Sequence, residues 1–60
     1  MTILYITPPW LEEQTKVVVM GEHEDAVTSV IAGAFLAGKY DVTIEDEDGD
    51  QVPYLEFNHG

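Results

Sequence analysis

No cysteine occurs in this chain of 60 residues. Disulfides, thiolate metal sites and thiol chemistry are therefore excluded. Arginine is missing too, and the only lysines are Lys16 and Lys39. Against them stand twelve Asp and Glu residues, so the formal charge is 2 − 12 = −10. A chain so charged is repelled by nucleic acid and by anionic membranes and is drawn to basic surfaces. Direct nucleic-acid binding and membrane association are therefore not expected. No apolar run approaches the roughly 20 residues of a membrane-spanning helix. The opening MTILYITPPW has no basic residue and only a short apolar run, so it does not read as a signal peptide. A cytoplasmic protein is expected. Parts for catalysis are also scarce. His23 and His59 lie far apart, and neither a Ser–His–Asp set nor a Gly-rich phosphate loop is found. The expectation is a protein that is not an enzyme and holds no cofactor or metal.

What the chain does have is a periodic apolar pattern. Hydrophobic residues make up 45% of it and fall in regular blocks, which argues against the disorder that an acidic composition alone would suggest. A single domain of this length buries only roughly 60% of its unfolded surface. Without a disulfide or metal, a partner subunit is the expected extra support.

The stretch from Val17 to Ile44 organises the rest. Thr15–Met20 is β-branched and reads as a strand that Gly21 ends. A helix is expected near residues 23–37, with Glu22, Glu24 and Asp25 at its positive end and Asp25 or a neighbour as cap. Val27, Val30, Ile31, Ala34 and Phe35 recur at helical spacing and are the expected buried stripe. Gly38 is the expected left-handed residue after the helix, with Lys39 suiting the negative end of its dipole. Tyr40–Glu45 then alternates, with Tyr40, Val42 and Ile44 on one face and Asp41, Thr43 and Glu45 on the other.

Either side of this unit the signals are also strand-like. Thr2–Thr7 reads as a strand stopped by Pro8-Pro9, and Ile3 to Ile6 is apolar throughout, so both of its faces should be covered. Trp10 and Leu11 are expected to fold back on the sheet, with exposure as a binding anchor the alternative. Asp46–Asp50 is a turn with Gly49 at its tip. Gln51–Phe57 reads as a fourth strand, at an edge because Pro53 has no N–H, and Asn58–Gly60 should fray. The fold class is therefore α+β, ββαββ, with one helix on a four-stranded, mainly antiparallel sheet in the order 2-1-3-4. One helix covers one face. The second face, showing Leu4 or Ile3 beside Val18, should be covered by Trp10 and Leu11, by a second copy or by a target, and a homodimer is expected.

From about Ile3 to Glu45 this layout resembles the small early inhibitors of host RNA polymerase made by some short-tailed bacteriophages. The shared features are two strands, a helix with carboxylates at its start, a Gly turn at Gly38 and the strand opening Tyr40-Asp41-Val42-Thr43. Ile44, Glu45 and Asp46 stand where those inhibitors carry arginines. The resemblance implies a protein that binds the polymerase and blocks transcription through a charged face.

The acids fall in two groups. Glu22, Glu24 and Asp25 precede the helix, and Asp41, Glu45, Asp46, Glu47, Asp48 and Asp50 occupy the third strand and its turn. The turn fails as an EF-hand loop. With Gly49 at the sixth position, Ile44 and Leu55 fall on the first and twelfth, where acids are needed. Solubility asks a net charge of roughly 2–8 of a small domain, and −10 exceeds it. The excess is self-repulsion that a positive partner would relieve. These nine acids are accordingly the candidate binding residues, with Trp10, Leu11, Leu4 and Val18 as a candidate apolar interface. The expected role is occupation of a basic, nucleic-acid-binding surface on a DNA- or RNA-acting enzyme. The alternatives are a dimeric assembly module with no inhibitory role, and a weak divalent-cation binder using the turn.

Overall fold

A computed structural model describes residues 1–57; Asn58–Gly60, expected to fray, lie outside the described residues. Strands β1 (Thr2–Thr7), β2 (Thr15–Val19), β3 (Asp41–Glu45) and β4 (Gln51–Pro53) form one antiparallel sheet in the order β2-β1-β3-β4. That is the order and class the sequence predicts. Helix α1 (Glu24–Ala37) lies on one face, and a single helical turn, α2 (Tyr54–Phe57), follows β4.

The apolar first strand sits centrally because both its edges are paired. Leu4 lies opposite Val17 on β2 and Ile44 on β3, and Ile44 lies opposite Val52 on β4. Period-two alternation puts this row, and the adjacent Ile6–Val42 pair, on the face beneath α1. Leu4, Ile6, Val42, Ile44, Ala32 and Tyr54 form the buried core, with Ile31, Phe35, Leu36 and Tyr40 packed around it. Ala32 is fully buried, and its small side chain lets the helix backbone approach the sheet. Leu4, expected as part of an interface, is instead the centre of this core at 0% exposure. The residue on the open face is its neighbour Ile3, opposite Val18.

The helix is rotated from its expected setting. Thr28, Ile31, Ala32, Phe35 and Leu36 face the sheet, whereas Val27, Val30 and Ala34 face solvent. Ile31 and Phe35 belong to both stripes, so apolar spacing alone does not choose between them. The observed rotation packs Leu36, partly buried, against the core and places Phe35 edge-on to Tyr40, with ring centroids 4.9 Å apart. Val30 is left 71% exposed. Val30→Asp should therefore change stability by less than about 0.5 kcal/mol, the range for surface substitutions. Ala32→Asp should prevent folding, since it buries an unpaired charge. Thermal melts of the two variants in 0.5 M salt, which mutes the added repulsion, check the rotation; a Val30→Asp protein that does not fold would refute it.

Three further corrections concern the ends of elements. His23 occupies the N-cap position with no side-chain cap bond, and Asp25 lies inside the first turn with Glu24. The left-handed residue is Lys39 (φ 69°), while Gly38 has φ −87°. Tyr40 N–H donates to Phe35 C=O and Lys39 N–H to Leu36 C=O. That pair of bonds is a Schellman ending with its left-handed residue one position later than the glycine. Gly38 instead serves close approach, since a Cβ there would meet the Tyr40 ring at 3.3 Å. Finally, the fourth strand stops at Pro53, and residues 54–57 coil so that Tyr54 turns into the core.

The face away from α1 stays open. Val18 is 47% exposed, and Ile3 and Tyr5 are half-buried. Trp10 and Leu11 do not cover it. Both are exposed, and Trp10 packs edge-on against Tyr40, on the helix side, at 5.5 Å. The short β1–β2 loop explains this: Leu11 N–H bonds back to Pro8 C=O, which holds the loop in a turn near the end of the sheet.

Candidate functional site

A groove of 770 Å³ runs between the first half of α1 and the β3–β4 turn. Buried Thr28, Ile44 and Tyr54 and exposed Ser29 line it, with Asp25 from the helix, Asp46, Glu47 and Asp48 from the turn, and Met1 and Thr2 from the start of the chain. The fold thus brings Asp25, of the first acidic group, to the acids of the turn. Asp25 reaches the rim because the first turn of α1 lies above the end of β3.

The turn is self-supporting. Asp46 Oδ1 accepts hydrogen bonds from the N–H groups of Asp48 and Asp50, each at 2.9 Å. Asp46 N–H donates to Asp50 C=O at 2.9 Å and Gly49 N–H to Asp46 C=O at 3.1 Å. Gly49 has φ +84°, a conformation that suits glycine. Carboxylate oxygens of Asp46, Asp48 and Asp50 lie within 4.8 Å of one another.

The other candidate acids are placed differently. Glu24 is engaged within the fold. Its Oε2 accepts from Thr2 Oγ1 at 2.6 Å and its Oε1 from the Met1 ammonium at 3.1 Å. The Thr2 hydroxyl first, and the ammonium second, hold its carboxyl below the usual carboxylate range. Glu45 borders the groove, but its Oε2 accepts from Tyr5 Oη at 2.9 Å. That bond, more than desolvation, raises the Tyr5 phenol above its ordinary value. Asp41 stands at the opposite end of β3, Glu22 precedes the helix, and Asp50 belongs to the turn but does not line the groove.

Because the Glu24 pKa is lowered on folding, its contribution is present above the unfolded value and is lost as pH falls through the folded one. Thr2→Val should bring the Glu24 titration, followed by NMR, back towards the ordinary range and flatten the acid limb of stability. An unchanged titration would show that the hydroxyl contact is not made. For Tyr5 the sign is opposite: its contribution is lost as pH rises through the raised value.

Thr28, Ser29, Tyr54 and Tyr5 carry no signal in the sequence as site residues. Thr28 sits in an amphipathic helix without a motif, and Tyr54 reads as part of a strand. Yet Thr28 is only 5% exposed, and its hydroxyl has no hydrogen-bond partner among the described residues. Ser29 Oγ and Tyr54 Oη share a long hydrogen bond of 3.4 Å beside it.

The chain is a small α+β domain with an acidic groove on one side and an open sheet face. No family model matches the chain, and no curated protein or solved structure matches it. Among the described residues, no helix is long and apolar enough to cross a membrane.

Proposed function

We propose that this protein is a non-enzymatic inhibitor that occupies the basic, nucleic-acid-binding surface of a DNA- or RNA-acting enzyme. The observation that carries this reading is uncompensated charge. Of twelve carboxylates, one forms an ion pair among the described residues, and its partner is the chain's own ammonium. Five of the twelve, Asp25, Glu45, Asp46, Glu47 and Asp48, border one groove. Asp41 and Glu45 extend the row along β3, about 13 Å apart at the rise of a strand. Duplex DNA carries one charge per ≈ 1.7 Å of axis, so the turn acids supply the dense part of the row. The inhibitor acts in a cytoplasm, that of a host cell if a phage encodes it. The resemblance of the layout to phage inhibitors of RNA polymerase makes that enzyme the first target to test.

Purified bacterial RNA polymerase transcribing a linear template, with this protein titrated in, gives the direct assay. Capture from a bacterial lysate followed by mass spectrometry extends it to other enzymes. A target that binds nucleic acid and this protein together would overturn the reading.

The open face supports a second reading, a dimeric assembly module. Ile3 and Val18 form an apolar pair there, Met20 beyond them is 72% exposed, and β2 is a free sheet edge. Light scattering decides this: a monomer at high micromolar concentration rejects the module.

A further inference from the structure

We propose that the outward face of α1 pairs with the same face of a second copy of this chain, the two helices running antiparallel. This contact is independent of the inhibitor reading and lies apart from the open sheet face. Three observations meet on it. The first is the lack of charge. No residue from Ala26 to Gly38 is charged, although Ala26, Val27, Val30, Gly33, Ala34 and Ala37 are all exposed. The face of a helix turned to water ordinarily carries charged and polar side chains. At about 100° per residue, Ala26, Val30, Gly33 and Ala37 run down the middle of this face. Their spacing alternates four, three and four, as in the seam of a coiled coil.

The second observation is Gly33. It lies inside the helix, where glycine is less stable than alanine. A Cβ placed on it meets nothing within 4 Å, so no described residue of the chain requires the missing side chain. A side chain arriving from outside does require it. The third observation is that the face complements itself. Setting Val30 of one copy against Gly33 of the other also sets Ala26 against Ala37, and a two-fold axis makes each contact twice. The same register brings Lys39 of each copy level with Glu24 of the other, beside Glu22 and Asp25. One of the chain's two lysines thus meets the acids at the start of the helix, and the two dipoles run in opposite senses. One chain supplies both the knob and the hole, and both signs of charge, which makes a second copy the occupant.

Sedimentation equilibrium from about 10 μM to 1 mM should carry the wild-type protein from monomer to dimer, the strength of a small interface. Val30→Asp should abolish the dimer. Val18→Asp adds the same charge on the open sheet face and should weaken it no more than about twofold. Gly33→Ala should weaken association about tenfold, since the added methyl overfills the seam twice per dimer. In dilute solution, where the chain is monomeric, the same change should raise the melting temperature by about 4–8 °C. A glycine with a role only inside its own chain does not give these opposite signs. Lys39→Glu should weaken the dimer more than Lys16→Glu, which changes the net charge equally. Should Val30→Asp fail to fold, Gly33→Ala decides the matter alone. A wild-type chain still monomeric at about 1 mM overturns the pairing, as does a Gly33→Ala protein that associates like wild type. Loss of the dimer with Val18→Asp as complete as with Val30→Asp overturns it too and moves the contact to the open face. Equal weakening by the two lysine changes overturns the antiparallel setting. None of these outcomes alters the inhibitor reading, which enzyme capture tests separately.

Discussion

Leu4→Ala should leave the protein without a cooperative folding transition at 25 °C. Among the described residues Leu4 is the largest fully buried side chain, and it lies in an interior strand between Val17 and Ile44 with α1 above it. A buried Leu→Ala change costs about 2.7–5.0 kcal/mol, because lost transfer energy and an unfilled cavity add. A single core in a chain of this size rarely supplies more than about 3–5 kcal/mol. The two figures are comparable, so the variant has no margin. Val18→Ala, one strand away on the open face, removes apolar surface that is already half in water and should melt within several degrees of wild type. Far-UV circular dichroism of the two variants gives the comparison. A Leu4→Ala protein with a sharp melt close to wild type would mean that the core lies elsewhere.

The second large effect is on binding. Converting Asp46, Glu47, Asp48 and Asp50 to Asn or Gln changes the formal charge from −10 to −6 (−10 + 4). The turn should survive, since Asp46→Asn keeps a side-chain oxygen to accept from the N–H groups of residues 48 and 50. Affinity for the captured enzyme should fall by more than about tenfold at 0.1 M salt, and competition with nucleic acid should disappear. The wild-type protein should show the same loss when salt is raised to 1 M, where the Debye length shrinks from about 10 Å to 3 Å. At 1 M the two proteins should bind alike, because what separates them is long-range attraction. A variant that binds as tightly as wild type at 0.1 M would shift the contact to the open face around Ile3 and Val18.

Much of the architecture follows from local patterns that tertiary packing did not override. Val42 and Ile44 alternate with Asp41 and Thr43, and they are buried as the alternation requires. The apolar run Ile3–Ile6 lies in an interior strand and β4 with Pro53 at an edge, but only the Leu4–Ile6 face is covered, and Ile3 and Tyr5 stay half-buried on the open one. Where sequence fell short, two local solutions were nearly equivalent. The valine stripe and the Leu36 stripe of α1 share Ile31 and Phe35, and only contact with Tyr40 and the sheet separates them. Gly38 and Lys39 compete for one left-handed position, and the closer fit of Gly38 against Tyr40 puts the lysine there. Leu55 and Phe57 look like strand residues until Tyr54 is drawn into the core. The candidate site was half legible. The turn acids announce themselves by density, but Asp25 joins them only through the crossing of α1 over β3. Glu24 leaves the set because of a threonine 22 residues away.

Trp10 gives the molecule a separate optical address. It is the sole tryptophan, it is 68% exposed, and among the described residues its one aromatic neighbour is Tyr40, at the margin of the core. Its emission therefore reports whether the β1–β2 loop rests on that ring, not whether Leu4 is enclosed. Loops with few buried contacts open at lower free energy than the elements they join. Tryptophan fluorescence should lose its native signal at a lower temperature than backbone ellipticity, although sheet and helix melt in one step. Coincidence of probes is the usual criterion for two-state unfolding, and applied to this chain it would report an intermediate that is only a loop leaving its tyrosine.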